Sequence, residues 1–329
     1  MKKKRLLLLL SALGAGTFAL YLGASNILIN ALLVPSFMEK LDAFEQVTEQ
    51  GLSEQVHTED IMDHRSELRK ETDVFLSAHP KTRLSITSYD GYRLAAEEFQ
   101  QPAETHLYAL LLHGYTAKKE DMELFACKYY EKGYSVLLPD LRCQGESEGN
   151  FIGMGATDSK DCLSWLDEIL KQDPMARIAV HGQSMGAATA LLLSCRKSLP
   201  KNVFAVVSDC AYESAELMAE EKIREWLHLL PHPIMDTAKL FLVLRRGYPL
   251  GIAAPIRFIK NSTVPTLFIH GTADRFVSVS HVFDLYNAAR MPGKELFIVE
   301  GAGHAQAQEK DPAAYFKRVF DFLNKHLPA

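Results

Sequence analysis

A serine lies inside a pentapeptide bracketed by glycines, residues 182–186, which read Gly-Gln-Ser-Met-Gly. The pentapeptide follows an apolar run at 177–181 and opens a helical pattern that continues to 193. A nucleophile elbow needs this strand–turn–helix setting, and its glycines allow the sharp turn that exposes the serine hydroxyl. We therefore predict Ser184 as the nucleophile of an acyl-transfer reaction; the alternative is a glycine-rich turn with a capping serine.

A second motif, His113-Gly114-Tyr115-Thr116, ends an earlier apolar run at 108–113. Acyl transfer needs two N–H donors aimed at the developing oxyanion. We expect the backbone N–H of Met185, directly after the nucleophile, and that of Tyr115, in this earlier loop, to supply them. His113 itself is expected to shape the loop rather than to act as a base.

An acid and a base follow two later strands. Asp274 stands four residues beyond the apolar run that ends at His270, and His304 follows the run 295–299 between small residues. A carboxylate at this sheet edge would fix the tautomer of the imidazole and stabilise the imidazolium, and the imidazole would act as general base. Asp209, just past another strand, is the alternative acid.

The intervening pattern predicts the elements that bring these residues together. A hairpin is expected at 83–99, with Asp90-Gly91 at its turn. Near-continuous apolar strands then alternate with helical stretches, which indicates a mostly parallel sheet covered on both faces. The expected strands are 108–113, 134–139, 177–181, 203–208, 265–270 and 295–299, and the helices are 119–132, 156–172, 184–198, 279–289 and 311–327.

These elements define a catalytic domain at 82–329. Residues 211–263 are too long for a simple connection between two strands, and they contain an amphipathic pattern at 213–230 and an apolar run at 240–244. Long insertions of this kind are often lids or binding elements, so we expect a small helical cap. Residues 39–81 are polar with roughly helical spacing of apolar positions and predict a juxtamembrane helical stalk.

The first 38 residues indicate a membrane segment. Lys2, Lys3, Lys4 and Arg5 precede residues 6–38, which carry no charged side chain. This length and composition predict a single-pass signal-anchor with the basic cluster in the cytoplasm and the catalytic domain outside it. A cleaved signal peptide, and hence a secreted protein, is the alternative.

Composition excludes several other classes. The chain has 329 residues with 36 basic and 41 acidic side chains, and without the four N-terminal bases the remaining 32 give a net charge of −9. An acidic body argues against nucleic-acid binding. None of the five cysteines has a zinc-site spacing, so we expect reduced buried thiols, no metal site and no cofactor. The sequence does not give the oligomeric state.

The four motifs, in the order oxyanion loop, serine, acid and histidine, resemble the α/β-hydrolase superfamily from about Thr82 to the C-terminus. The run Asp140-Leu141-Arg142 with the small residues after it is similar to a loop of membrane-anchored bacterial serine hydrolases in the serine aminopeptidase and monoglyceride lipase branch. That resemblance implies that Arg142 braces its loop rather than contacts substrate. The sequence departs from that of lipases and esterases at 113–115, where it has His-Gly-Tyr and they have HGGG.

Residues and resemblance together predict a serine hydrolase that cleaves a small-molecule carboxylic ester by a Ser184–His304–Asp274 mechanism. The apolar segments of the expected cap favour an acyl substrate. A serine peptidase of the aminopeptidase type is one alternative, and it would need a clamp for the substrate amine. A membrane-tethered binding protein with an inactive site is the other.

Overall fold

A computed structural model describes residues 58–102, 105–228, 230–232 and 234–328, together with 21–23, 25–27, 30, 33, 34 and 56. Its centre is an eight-stranded sheet with the order β1-β2-β4-β3-β5-β6-β7-β8. The first two strands form an antiparallel hairpin and β2 pairs antiparallel with β4, while the remaining neighbours are parallel. The strands are β1 Thr82–Thr87, β2 Arg93–Phe99, β3 Leu107–Leu112, β4 Ser135–Pro139, β5 Arg177–Gln183, β6 Val203–Asp209, β7 Thr266–Gly271 and β8 Glu295–Val299.

Helices cover both faces of this sheet. The α-helices of the described residues are α1 Glu59–Ala78, α2 Glu123–Glu131, α3 Asp158–Gln172, α4 Met185–Ser194, α5 Ala215–Leu227, α6 Ile234–Arg246, α7 Pro255–Phe258, α8 Ser280–Ala288, α9 Ala307–Lys310 and α10 Pro312–His326. Short 3₁₀ turns lie at Lys119–Met122, Leu250–Ile252 and Ile259–Asn261. Each predicted strand is present within two residues of its expected bounds at either end.

Alternation along the strands divides the core into two apolar layers. Leu110 and Leu112 of β3 pack with Trp165 of α3 on one face, whereas Leu111 of the same strand packs with Phe125 of α2 on the other. Successive side chains of a strand point to opposite faces, so a run that is apolar at every position must be covered twice. The near-continuous apolar strands of the sequence therefore require the helices on both sides.

Helix α1 occupies the second half of the segment predicted as a stalk, and it packs on the catalytic domain. Its buried face includes Ile61, Leu68 and Phe75, and the ring of Phe75 lies 5.0 Å from that of Phe99 in β2. Arg65 adds an ion pair with Glu309 at 2.7 Å. This part of the segment is thus joined to the rest of the fold; residues 39–55 and 57 lie outside the described residues.

The predicted cap lies between β6 and β7 and contains α5, α6 and α7. One described position of the N-terminal segment contacts the cap, since Asn26 hydrogen-bonds Arg245 of α6. Another, Leu33, is buried and contacts the loop between β4 and α3, where its carbonyl accepts a hydrogen bond of 2.7 Å from the N–H of Ile152. Among the described residues, no helix has the length and apolar character needed to cross a bilayer. The anchor predicted at 1–38 falls mostly outside them.

Candidate active site

Ser184 occupies the turn between β5 and α4 in a strained backbone conformation, with φ 56° and ψ −116°. The glycines on either side leave no room for a larger residue. A Cβ added at Gly182 would lie 2.1 Å from the carbonyl oxygen of Gly186, and one at Gly186 would lie 2.1 Å from that of Leu112. Strain of this kind persists only where surrounding structure enforces it, and here it presents the serine above the end of the sheet.

Three predicted residues meet at this edge in one line of hydrogen bonds. The Oγ of Ser184 lies 2.9 Å from Nε2 of His304, and Nδ1 of His304 lies 2.8 Å from Oδ2 of Asp274. The three side chains follow β5, β8 and β7, and the carboxyl ends of parallel strands share one edge. The arrangement lets the imidazole accept the serine proton while the carboxylate holds its other nitrogen protonated.

The carboxylate of Asp274 is held from four directions. Its Oδ1 accepts hydrogen bonds from the N–H groups of Phe276 and Val277 at 2.9 and 2.8 Å. Its Oδ2 faces both His304 and Nε2 of His270, the latter at 3.1 Å. Burial opposes ionisation, but the attraction of His304 and the imidazole hydrogen bonds outweigh it, so the pKa of Asp274 lies well below its ordinary value. The group is a carboxylate throughout the neutral pH range.

Asp209, the alternative acid, is not bonded to this histidine. Its Oδ2 accepts a hydrogen bond of 2.8 Å from the hydroxyl of Tyr315, whose oxygen also lies 3.2 Å from His181. Burial raises the pKa of Asp209 to about 6, and burial lowers that of His181 to about 3. The two groups belong to a buried polar network that includes Tyr129.

The loop after β3 approaches the nucleophile, as its predicted role requires. A Cβ added at Gly114 would lie 3.4 Å from Cβ of Ser184, and Met185 is the first residue of α4. The N–H groups at the start of a helix have no partner within the helix, which suits an anion there. His113 is buried; its Nε2 accepts a hydrogen bond of 2.9 Å from the N–H of Leu141, and its Nδ1 lies 2.8 Å from the carbonyl of Gly114. It links two loops.

Arg142 is 1% exposed and binds two carboxylates. Its Nε and Nη2 donate to Asp161 of α3 at 2.6 and 2.7 Å, and Nη1 and Nη2 donate to Asp90 in the hairpin turn at 3.0 and 3.1 Å. Such bidentate contacts fix geometry as well as charge. The side chain therefore joins the loop after β4 to a helix and to the hairpin.

Replacing Arg142 with methionine is expected to lower the free energy of unfolding by about 3–5 kcal/mol, because the buried carboxylate of Asp161 loses its partner. Urea denaturation followed by circular dichroism measures this loss. The double variant with Asp161→Leu should recover most of it, since the buried carboxylate that Arg142 paired with is then removed as well. A single variant with unchanged stability and a raised KM would instead indicate that Arg142 contacts substrate.

The cap is joined directly to the loop that carries the acid. Lys222 of α5 donates a hydrogen bond of 2.8 Å to the carbonyl of Arg275, the residue after Asp274. Its Nζ lies 5.6 Å from the ring centre of Phe276, and that ring lies 4.9 Å from the ring of His304. On α8, His281 binds the cap as well, since it lies 3.0 Å from Glu221 of α5.

Two residues near the site were not assigned roles from the sequence. The ring of His270 reaches the acid, and its position at the end of β7, four residues before Asp274, was the available signal. Cys210, directly after β6, comes within 4.8 Å of ligand atoms of Asp274 and His304. Nothing in cysteine spacing could reveal this contact, because the partners lie on other strands. Among the described residues, two groups have a geometry that could hold a metal ion. One is Cys210, Asp274 and His304, and the other is Glu71, Cys127 and Glu131.

Comparisons with known proteins agree with the fold. The profile described as the prolyl oligopeptidase family matches residues 121–329. The uncharacterized protein YqkD of Bacillus subtilis is 31% identical over 246 residues, which are 74% of this chain and 79% of YqkD. Among solved structures, the Pyrococcus furiosus esterase Pf2001 matches with TM-score 0.63 and 21% identity, over 76% of this chain and 94% of the esterase. Pyrococcus horikoshii acylaminoacyl peptidase matches with TM-score 0.57 and 20% identity, over 76% of this chain and 42% of the peptidase.

Proposed function

This chain belongs to the prolyl oligopeptidase family, and we propose that it hydrolyses carboxylic esters through an acyl-enzyme formed on Ser184. The α/β-hydrolase fold predicted from the sequence is confirmed by the sheet and by the solved structures similar to it. The observation that carries the proposal is the line of hydrogen bonds from Ser184 through His304 to Asp274, at 2.9 and 2.8 Å. Each residue stands where acyl transfer requires a nucleophile, a base and an orienting acid.

In the proposed mechanism, Oγ of Ser184 attacks the ester carbonyl while Nε2 of His304 accepts its proton. Asp274 keeps the other ring nitrogen protonated and stabilises the imidazolium that forms. The imidazolium then gives its proton to the departing alcohol. Water, activated by His304, cleaves the acyl-enzyme and restores the serine.

The N–H groups of Met185 and Tyr115 are proposed to bind the oxyanion that forms in both steps. Each donor of this kind typically supplies about 3 kcal/mol of transition-state stabilisation. The helical N-terminus at Met185 and the closeness of Gly114 to Ser184 support these positions.

The surroundings of the triad favour an ester with an apolar acyl group over a peptide. A glycine, Gly114, adjoins the serine, and the aromatic ring of Phe276 adjoins the histidine. An aminopeptidase would need a charged or polar partner for the substrate amine, because burying an unpaired ammonium is costly. Peptide cleavage is the alternative, because the matched family is named for a peptidase.

A panel of p-nitrophenyl esters of increasing acyl length, run beside aminoacyl anilides, tests this choice. We expect kcat/KM to rise about fourfold for each methylene that becomes buried, at ~0.8 kcal/mol each, until the pocket is filled. The anilides should be poor substrates. A preference for anilides at equal concentration would replace the esterase proposal with that of a peptidase.

A further inference from the structure

We propose that Cys210, Asp274 and His304 form an inhibitory site for a borderline-soft divalent cation, represented by Zn²⁺. The site would switch the enzyme off by occupying its base, so the inhibitory effect rests on the function proposed above. Binding of the ion rests on the three side chains alone.

The geometry of the three side chains already approaches a metal site. Their candidate ligand atoms, a thiol sulfur, a carboxylate oxygen and a ring nitrogen, all lie within 4.8 Å of one another. Zinc–ligand bonds of 2.0–2.3 Å in a tetrahedron place neighbouring ligand atoms about 3.3–3.8 Å apart. The widest pair would therefore have to contract by about 1 Å, and Nδ1 of His304 and Oδ2 of Asp274, now 2.8 Å apart, would have to separate by about 0.5 Å. The ring nitrogen concerned is Nδ1 of His304, since it is the one that lies 2.8 Å from Asp274.

The backbone fixes the thiol in this place. Cys210 adopts φ 52° directly after β6, and its N–H donates a hydrogen bond of 2.9 Å to the carbonyl of Ile269 in β7. Its side chain is buried. Burial and the neighbouring carboxylates raise the pKa of this thiol well above its ordinary value, so without a metal it stays protonated.

The donor set selects the kind of cation. Thiolate and imidazole favour zinc and other borderline-soft ions over magnesium or calcium, which prefer oxygen ligands. Two anionic ligands, the thiolate of Cys210 and the carboxylate of Asp274, would neutralise a divalent ion in this buried place. Three protein ligands leave a fourth position for water, and His304, 18% exposed at its side chain, offers the route of entry.

Binding at Nδ1 would disable the base through its tautomer. In the free enzyme Nδ1 carries the proton and Nε2 accepts from Ser184. When the ion takes Nδ1, the imidazole proton resides on Nε2, so that nitrogen can no longer accept the serine proton. The thiol proton of Cys210 leaves to solvent as the sulfur–metal bond forms. The exchange releases one proton for each ion bound and involves no oxidation or reduction.

The test uses the full chain with Zn²⁺ for activity and Co²⁺ for spectroscopy. We expect Zn²⁺ to inhibit ester hydrolysis reversibly, with activity restored by EDTA. The variants Cys210→Ala and Cys210→Ser should hydrolyse ester but require at least about tenfold more Zn²⁺ for half-inhibition, since even loss of an outer partner of a metal ligand costs that much affinity. Co²⁺ should give the wild-type protein a thiolate-to-cobalt charge-transfer absorption that both variants lack.

Cys127→Ala is the matched control, because Cys127 is equally buried and belongs to the other candidate group, with Glu71 and Glu131. This variant should keep both zinc inhibition and the cobalt absorption. The proposal is overturned if the wild-type protein shows no cobalt absorption, or if the absorption disappears with Cys127 and persists without Cys210. Cobalt absorption in a protein that hydrolyses no ester would keep the metal site and reject the proposed function instead.

Discussion

Replacing Ser184 with alanine is expected to lower kcat for ester hydrolysis by about a millionfold and to abolish labelling by a fluorophosphonate probe. The probe forms its covalent bond with the oxygen that the substitution removes. The fold should survive, because alanine lacks only the hydroxyl and fits the space that the serine fills. Gel fluorescence of the labelled protein and steady-state kinetics measure the two effects.

Ser208→Ala is the matched control for this variant. Ser208 is a buried serine on the neighbouring strand β6, and its hydroxyl has no hydrogen-bond partner among the described residues. The control should label and turn over like the wild-type protein. Labelling that persists without Ser184 would remove it from the mechanism. A wild-type protein that neither labels nor hydrolyses any ester or anilide would favour the non-catalytic binding protein.

Replacing Asp274 with asparagine is expected to lower kcat by about ten-thousandfold at neutral pH. The N–H groups of Phe276 and Val277 require an acceptor, so the amide oxygen must face them and the NH₂ group must face His304. Nδ1 of His304 then becomes the acceptor and its proton moves to Nε2, which can no longer take the proton of Ser184. Steady-state kinetics measure the loss, and circular dichroism verifies the fold.

Asp209→Asn provides the comparison, since Asp209 is the last residue of β6 and is also buried. Its amide oxygen can still accept the hydrogen bond from Tyr315, so kcat should stay within a few-fold of the wild-type value. A reversed outcome, in which Asp209→Asn is the inactive variant and Asp274→Asn the active one, would transfer the role of the acid to Asp209.

The strands could be located from the sequence because apolar runs and glycine-containing turns are local signals. Ser184 stood out for the same reason, since a nucleophile elbow is encoded within five consecutive residues. The choice between Asp274 and Asp209 was harder. Both lie at strand ends on the same edge of the sheet, and only packing shows that Asp209 turns to Tyr315 on α10 while Asp274 turns to His304.

Contacts between distant parts of the chain could not be predicted in this way. The thiol of Cys210 lies near the acid because β6 and β7 are neighbours in the sheet, and residue spacing does not show which way a residue at a strand end points. The ring of His270 and the ammonium of Lys222 reach the acid loop for similar reasons. Their roles follow from pairing and from the packing of the cap, which residue spacing does not record.

The hydrogen bond from Lys222 to the carbonyl of Arg275 lets the cap help to hold the loop that carries Asp274 in position. A bulky substrate that displaces α5 would break this bond and loosen the segment next to Asp274. Entry of such a substrate would therefore oppose the correct positioning of the acid. Such a substrate would react at the full rate only after α5 had returned and the hydrogen bond had formed again. A short ester that enters beneath the resting helix avoids this cycle. The movement of α5 would therefore limit the rate for large esters, whereas bond cleavage would limit it for small ones.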